Sequence, residues 1–152
     1  MTPTRTVVWT AIAGAGLALA VTAVQASAAG NPVEERQMTM KQVGSAMKDL
    51  SGLASGQAPW DAAKLKDLTN GIAGSAKKLK SLYPANTAAD PKTSADPKIW
   101  TNKADFDKRL AEMGTLAAAA SKATSAETFK PAFLALAGTC KSCHDLYRKK
   151  KT

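Results

Sequence analysis

Between residues 31 and 149 the apolar positions fall into four runs of helical period. In the first, Arg36, Met40, Val43, Met47, Leu50 and Ala54 recur at alternating spacings of four and three, which places them on one helical face. Asn31 is a cap, Pro32 suits the first helical position, and Glu34 completes a capping box; Gly56 closes the run. The second helix is predicted from about Pro59 to Leu82, with Leu65, Leu68, Ile72, Ala76, Leu79 and Leu82 as its stripe and Pro84 as its stop. The third runs from about Asn102 to Lys122 on Phe106, Leu110, Met113, Ala117 and Ala120. The fourth runs from about Ser125 to Lys149 on Phe129, Phe133, Leu136, Cys140, Cys143 and Tyr147. Pro131 either lies in the first turn of a helix that starts late, or bends the helix. Residues 83–101 have no helical period; their repeat, Ala89-Asp90-Pro91-Lys92 and Ala95-Asp96-Pro97-Lys98, reads as two turns in a surface loop. No segment alternates as a strand does. The expectation is an all-α, up-down-up-down four-helix bundle, with short connections between helices one and two and between three and four.

The N-terminus changes the picture of where this bundle works. Arg5 is the only charge before Glu34, an apolar run follows from Val7 to Val24, and Ala26-Ser27-Ala28 has the A-x-A cleavage pattern. Residues 1–28 therefore read as a cleaved secretory signal peptide, leaving one domain over 29–152. An uncleaved anchor is the rival reading, diluted by Thr10, Gly14, Gly16 and Thr22. No twin-arginine pair precedes the run, so the general secretory route is the simpler one. Cleavage leaves no membrane span and a periplasmic protein.

The whole chain of 152 residues carries a formal net charge of +9, and loss of Arg5 makes it +8. Export argues against nucleic acid as the partner of this charge, and the aromatics do not interleave with lysines as a stacking platform requires. An acidic protein partner remains, beside the plainer reading of a solvated basic surface.

The chemistry is concentrated in "GTCKSCHDLYRKKKT", which holds both cysteines and the one histidine. On a helix, Cys140 and Cys143 lie about 60° apart and Cys140 and His144 about 40° apart, so all three share one face. A thioredoxin-like redox pair needs a strand–helix context, which is absent. A structural zinc site is one ligand short, because no further cysteine or histidine exists. C-x-x-C-H is the attachment signature of haem c: two thiols add to the two haem vinyl groups and the adjacent histidine reaches the iron. Export agrees, since c-type haem is attached outside the cytoplasm. One covalently bound haem c, held by Cys140 and Cys143 through two thioethers with His144 on the iron, is the expected cofactor.

The C-terminal "CKSCHDLYRKKK" on a last helix resembles the class II cytochromes c, the cytochrome c′ family. "RQMTMKQVGSAMKDL" (36–50) resembles the family's first helix and "DPKIWTNKADF" (96–106) the segment leading into its third. The resemblance covers nearly all of 29–152.

With a single histidine, bis-histidine ligation is excluded. In an up-down-up-down bundle, helices one and four are antiparallel neighbours, and His144 lies roughly 8–12 Å from the end of helix four. Met40 lies about 12 Å into helix one, at the matching level; Met47 is about 10.5 Å deeper, Met38 about 200° round the helix, and Met113 on another wall. A methionine on a core stripe also has a plainer use as packing. The resemblance adds that Met40, four residues after Arg36, stands where the family covers the distal haem face. Its low-spin branch is similar to Met40-Lys41-Gln42-Val43-Gly44. The implied function is an electron carrier with iron between His144 and Met40. The alternative is a five-coordinate, high-spin protein that binds nitric oxide or carbon monoxide.

The resemblance also implies Arg36 and Arg148 near the haem rim, as propionate partners or as ordinary solvated arginines. It implies possible pairing of two bundles through the first two helices. Tyr147, Phe133 and Trp60 are expected to pack the pocket or the core. Lys149, Lys150 and Lys151 complement the end of helix four, and either surround the haem edge, where they would steer an acidic redox partner, or form a solvated tail. An enzyme such as a peroxidase is not expected, because neither a second histidine nor a distal acid–base pair can be placed.

Overall fold

The first helix begins and ends on local chemistry. The computed structural model describes residues 30–150, so the leader and Lys151 lie outside the described residues. Helix α1 spans Pro32–Ser55. Its cap differs from the expected capping box: Asn31 Oδ1 accepts from Val33 N–H at 2.9 Å, one position earlier than the amide of Glu34. Glu34 and Glu35 still oppose the positive end of the helix dipole from the first turn. The helix ends where Gly56 takes φ 74°, the one positive φ among the described residues. A side chain is strained there, so Gly56→Ala is expected to destabilise the folded protein by about 1 kcal/mol without altering its spectrum. Urea unfolding followed by circular dichroism measures it.

Helix α2 spans Ala62–Ser81. It starts later than Pro59 because Asp61 is the cap, with its carboxylate accepting from Lys64 N–H at 2.9 Å. After a short 3-10 turn at Ala85–Thr87, the one-turn helix α3 covers Lys98–Thr101 and α4 covers Lys103–Ala120. Helix α5 spans Ala126–Tyr147 and starts from Ser125, which forms a capping box with Thr128. Pro131 thus lies inside α5, and the late-start reading is corrected: the Ser125 cap nucleates the helix ahead of the proline, which removes a single hydrogen bond.

The four long helices form a square in which α1 packs on α2, α2 on α4, α4 on α5 and α5 back on α1. This is the expected up-down-up-down bundle. Leu50, Leu65, Ile72, Leu79, Phe129 and Leu136 are at most 1% exposed, and each contributes roughly 1.5–3 kcal/mol of hydrophobic stabilisation. Trp60 and Phe133 flank Phe129 at centroid distances of 6.1 and 5.9 Å, so they fill the core.

Residues 83–101 depart from the surface-loop expectation. The two Asp-Pro-Lys turns form, with Asp90 and Asp96 accepting from the N–H of Lys92 and Lys98. Between and beyond them, however, Thr87, Thr93, Ala95 and Ile99 are buried. Ala95 makes an isolated antiparallel bridge to Arg148, with Asp96 N–H donating to Tyr147 O and Lys149 N–H to Ser94 O, both at 2.9 Å. The segment is the lid of the α1–α5 end of the bundle, held by backbone bonds that leave no periodic trace.

Candidate functional site

Helices α1 and α5 are neighbours, and at one end they part around a cleft of about 430 Å³. That volume lies within the range of ordinary cofactor pockets, about 300–1,000 Å³. One wall is the α1 face carrying Arg36, Met40, Val43 and Gly44, which helical spacing puts together. The opposite wall is the last turns of α5, with Cys143, His144, Tyr147 and Arg148. Ala95, Ile99, Tyr83 and Phe106 close the inner side.

The structure brings Met40, Cys143, His144, Arg36 and Arg148 to this one cleft. Cys140, one turn earlier, is half-buried and stands outside the lining. The other methionines point elsewhere: Met38 is 56% exposed and Met113 is 6% exposed within the core. Ile99, Ala95 and Tyr83 are lining residues that the sequence reading missed. The Asp-Pro-Lys repeat marked the turns that fold Ala95 and Ile99 inward, but turn chemistry does not say which side is buried.

Both thiols are free. Burial pushes both above the ordinary cysteine value, so neither is an activated thiolate of the redox-enzyme kind. Among the described residues, no cluster of three His, Cys, Asp or Glu side chains can hold a metal ion unaided. His144 is exposed at the cleft edge. Desolvation of its inner side, then the Arg148 cation, lowers its pKa below the usual value. At neutral pH its imidazole is uncharged and keeps a lone pair for a metal.

The cleft lining includes Arg36, Lys41 and Arg148 and no acidic residue. Arg36 is 3% exposed, and its two terminal nitrogens donate to Leu82 O, Thr87 Oγ1 and Thr93 Oγ1. Its guanidinium also lies over Tyr83, 4.9 Å from the ring centroid, and 5.8 Å from that of Trp100. Burial lowers its pKa, while Tyr83 and Asp90 act against this. Burial pushes the Tyr83 phenol up to about 12. So Arg36 is no solvated surface arginine.

A haem fits these residues: a flat apolar disc between two helices, soft donors on both walls, and cations for its two carboxylates.

Within the lining, Tyr147 is 6% exposed and its ring meets Phe106 edge-on at 5.4 Å. Its hydroxyl donates to Asp105 Oδ2 at 2.6 Å, and Arg109 Nε donates to the same oxygen at 2.7 Å. Arg109 first, and Tyr147 second, hold the Asp105 carboxyl below the ordinary carboxylate range. A depressed carboxylate pKa stabilises the fold above the unfolded value, and that contribution disappears as pH falls through the folded value. Tyr147→Phe is expected to raise the Asp105 pKa toward normal and move the acid-unfolding midpoint upward in pH. Carboxyl NMR titration checks the first and an acid melt the second.

The sequence family described as cytochrome c′ matches residues 31–148. Cytochrome c′ of Rhodopseudomonas palustris is 35% identical over 142 residues, covering 93% of this chain and 92% of that protein. Cytochrome c-556 of Agrobacterium fabrum is 34% identical over 125 residues, covering 81% of this chain and 84% of that protein. The solved structure of the Rhodopseudomonas palustris cytochrome c′ superposes with a TM-score of 0.76 at 35% identity, covering 80% of this chain and 98% of the other.

Proposed function

The chain belongs to the cytochrome c′ family, whose members carry one covalently bound haem c, and we propose that it is an electron-transfer cytochrome with a closed iron site. In this reading Cys140 and Cys143 would hold the haem through two thioethers, and His144 and Met40 would bind its iron. When bound, the haem supplies a one-electron ferric–ferrous couple. The protein's part is to hold a neutral imidazole and a thioether at fixed positions on opposing helices and to keep water off the apolar inner wall. Methionine ligation favours the ferrous state and raises the potential relative to two histidines.

The observation that carries the reading is that Met40 alone among the methionines of residues 30–150 lines the cleft that holds His144. The second reading, an open iron that binds nitric oxide or carbon monoxide, draws on the likeness to a cytochrome c′. An absorption spectrum separates the two. A sharp reduced α band and a weak far-red sulfur-to-iron band support the closed site. A broad high-spin spectrum that changes readily with carbon monoxide overturns it.

Arg36 and Arg148 serve the haem carboxylates in this reading, since both line the cleft. Lys41 and Arg148 in the lining, with Lys149 beside His144, give this end of the bundle a positive field suited to an acidic redox partner. The A-x-A leader supports a periplasmic setting. No helix among the described residues is long and apolar enough to cross a membrane. Pairing through α1 and α2 is the assembly that the resemblance implies.

A further inference from the structure

Thr93 sits where two ties meet. Its Oγ1 accepts from Arg36 Nη2, which reaches out from α1 one turn before Met40. Its carbonyl accepts from Lys149 Nζ at 3.2 Å, just past the end of α5. Thr93 is 5% exposed, and its hydroxyl also accepts from Ala95 N–H at 3.1 Å, which fixes the turn into the Ala95–Arg148 bridge. The next residues carry the backbone bonds to Tyr147 and Lys149. The walls bearing Met40 and His144 face one cleft, and the segment around Thr93 links them, with Gln37 Nε2 of α1 also donating to Lys92 O at 2.8 Å.

We propose that Thr93 is a positioning residue for the iron ligands, a hydroxyl clasp that sets the separation of the Met40 and His144 walls. The proposal rests on the Met40 ligation argued above. A thioether is a weak ligand that must be held within bonding reach. Arg36 fixes the register of α1, and the 93–96 bridge fixes the last turn of α5. Leu82 O and Thr87 Oγ1 keep Arg36 in place without Thr93, but of its three acceptors Thr93 is the one that also accepts from Lys149, so its release uncouples the two walls and the methionine leaves the iron for a larger fraction of the time. Carbon monoxide then binds in proportion to that open fraction.

The test compares Thr93→Val, which keeps the shape and removes the hydroxyl, with Thr93→Ser, which keeps the hydroxyl. Both are made in the full haem-loaded chain. Thr93→Val is expected to weaken the far-red methionine band and raise the apparent carbon monoxide affinity about tenfold, the factor set by one ordinary hydrogen bond. Amide exchange at Asp96, a readout that does not involve the haem, should speed up in the same sample. Thr93→Ser should match the natural protein in all three. A Thr93→Val protein with an unchanged band and carbon monoxide affinity overturns the proposal, as does a Thr93→Ser protein as impaired as Thr93→Val. If Thr93→Val does not fold, Lys149→Met cuts the other tie from outside the cleft lining; about a threefold rise in affinity supports the proposal and no change overturns it. A natural protein that lacks the band and matches Met40→Leu overturns the ligation reading itself, and the clasp with it.

Discussion

Met40→Ala is expected to turn a closed, low-spin spectrum into an open, high-spin one. The far-red band disappears, the reduced α band broadens, and carbon monoxide binds readily. If methionine occupies the iron about 99% of the time, its removal raises apparent carbon monoxide affinity roughly hundredfold, because only the open fraction can bind. The reduction potential falls, since the thioether favours the ferrous state. Met40 also packs against the core and is half-buried, so truncation costs about 1–2 kcal/mol of stability, less than for a fully buried methionine. Met40→Leu separates the two roles by keeping the bulk and removing the sulfur. It should reproduce the spectral change with little loss of stability. Should the natural protein take up carbon monoxide as readily as either variant, Met40 only packs and the gas-binding reading replaces the electron-carrier one.

The double variant Cys140→Ser with Cys143→Ser is expected to abolish covalent haem attachment altogether. Acid–acetone then extracts the pigment, and a denaturing gel shows no haem stain at the mass of the chain. Each single variant keeps one thioether and remains stained. Cys140 is the more informative of the two, because it stands half-buried outside the cleft lining. If Cys140→Ser left an attachment chemically identical to the natural one, with both vinyl groups consumed, the assignment of Cys140 as an anchor would fall. Neither variant removes His144, so iron ligation from α5 can survive while the covalent link is lost.

Much of this site was legible along the chain because helices write their packing into local periodicity. The stripe Arg36-Met40-Val43 emerged from spacing alone, and it forms the cleft wall. The C-x-x-C-H motif was legible for a similar reason: attachment needs two thiols and an imidazole on one helical face, so the chemistry is confined to five residues. That Met40 and His144 line one cleft follows from rise per residue and antiparallel topology, both regular quantities. The start of α5 was legible from Ser125, although Pro131 obscured which of two starts applied.

Residues 83–101 were not legible, and neither was the environment of Arg36. Arg36 looked like a solvated helix arginine or a haem-rim cation. Its partners Leu82, Thr87 and Thr93 lie 46, 51 and 57 positions away, and all three acceptors are neutral oxygens. No charge pairing or period announces such a contact. Thr93 itself, a short polar residue between two turns, carries no signal of burial.

The sequence by itself determined four amphipathic helices, the C-x-x-C-H motif on the last of them and the stripe that puts Met40 on the cleft wall, because each depends on residues within a turn or two of one another. Only the tertiary structure decided how the cleft is closed: which face of the connecting segment turns inward, what holds the Arg36 charge, and how the two ligand-bearing walls are tied. Those features depend on backbone and hydroxyl groups that every sequence offers in abundance, and they acquire partners only when chain reversal brings distant segments together.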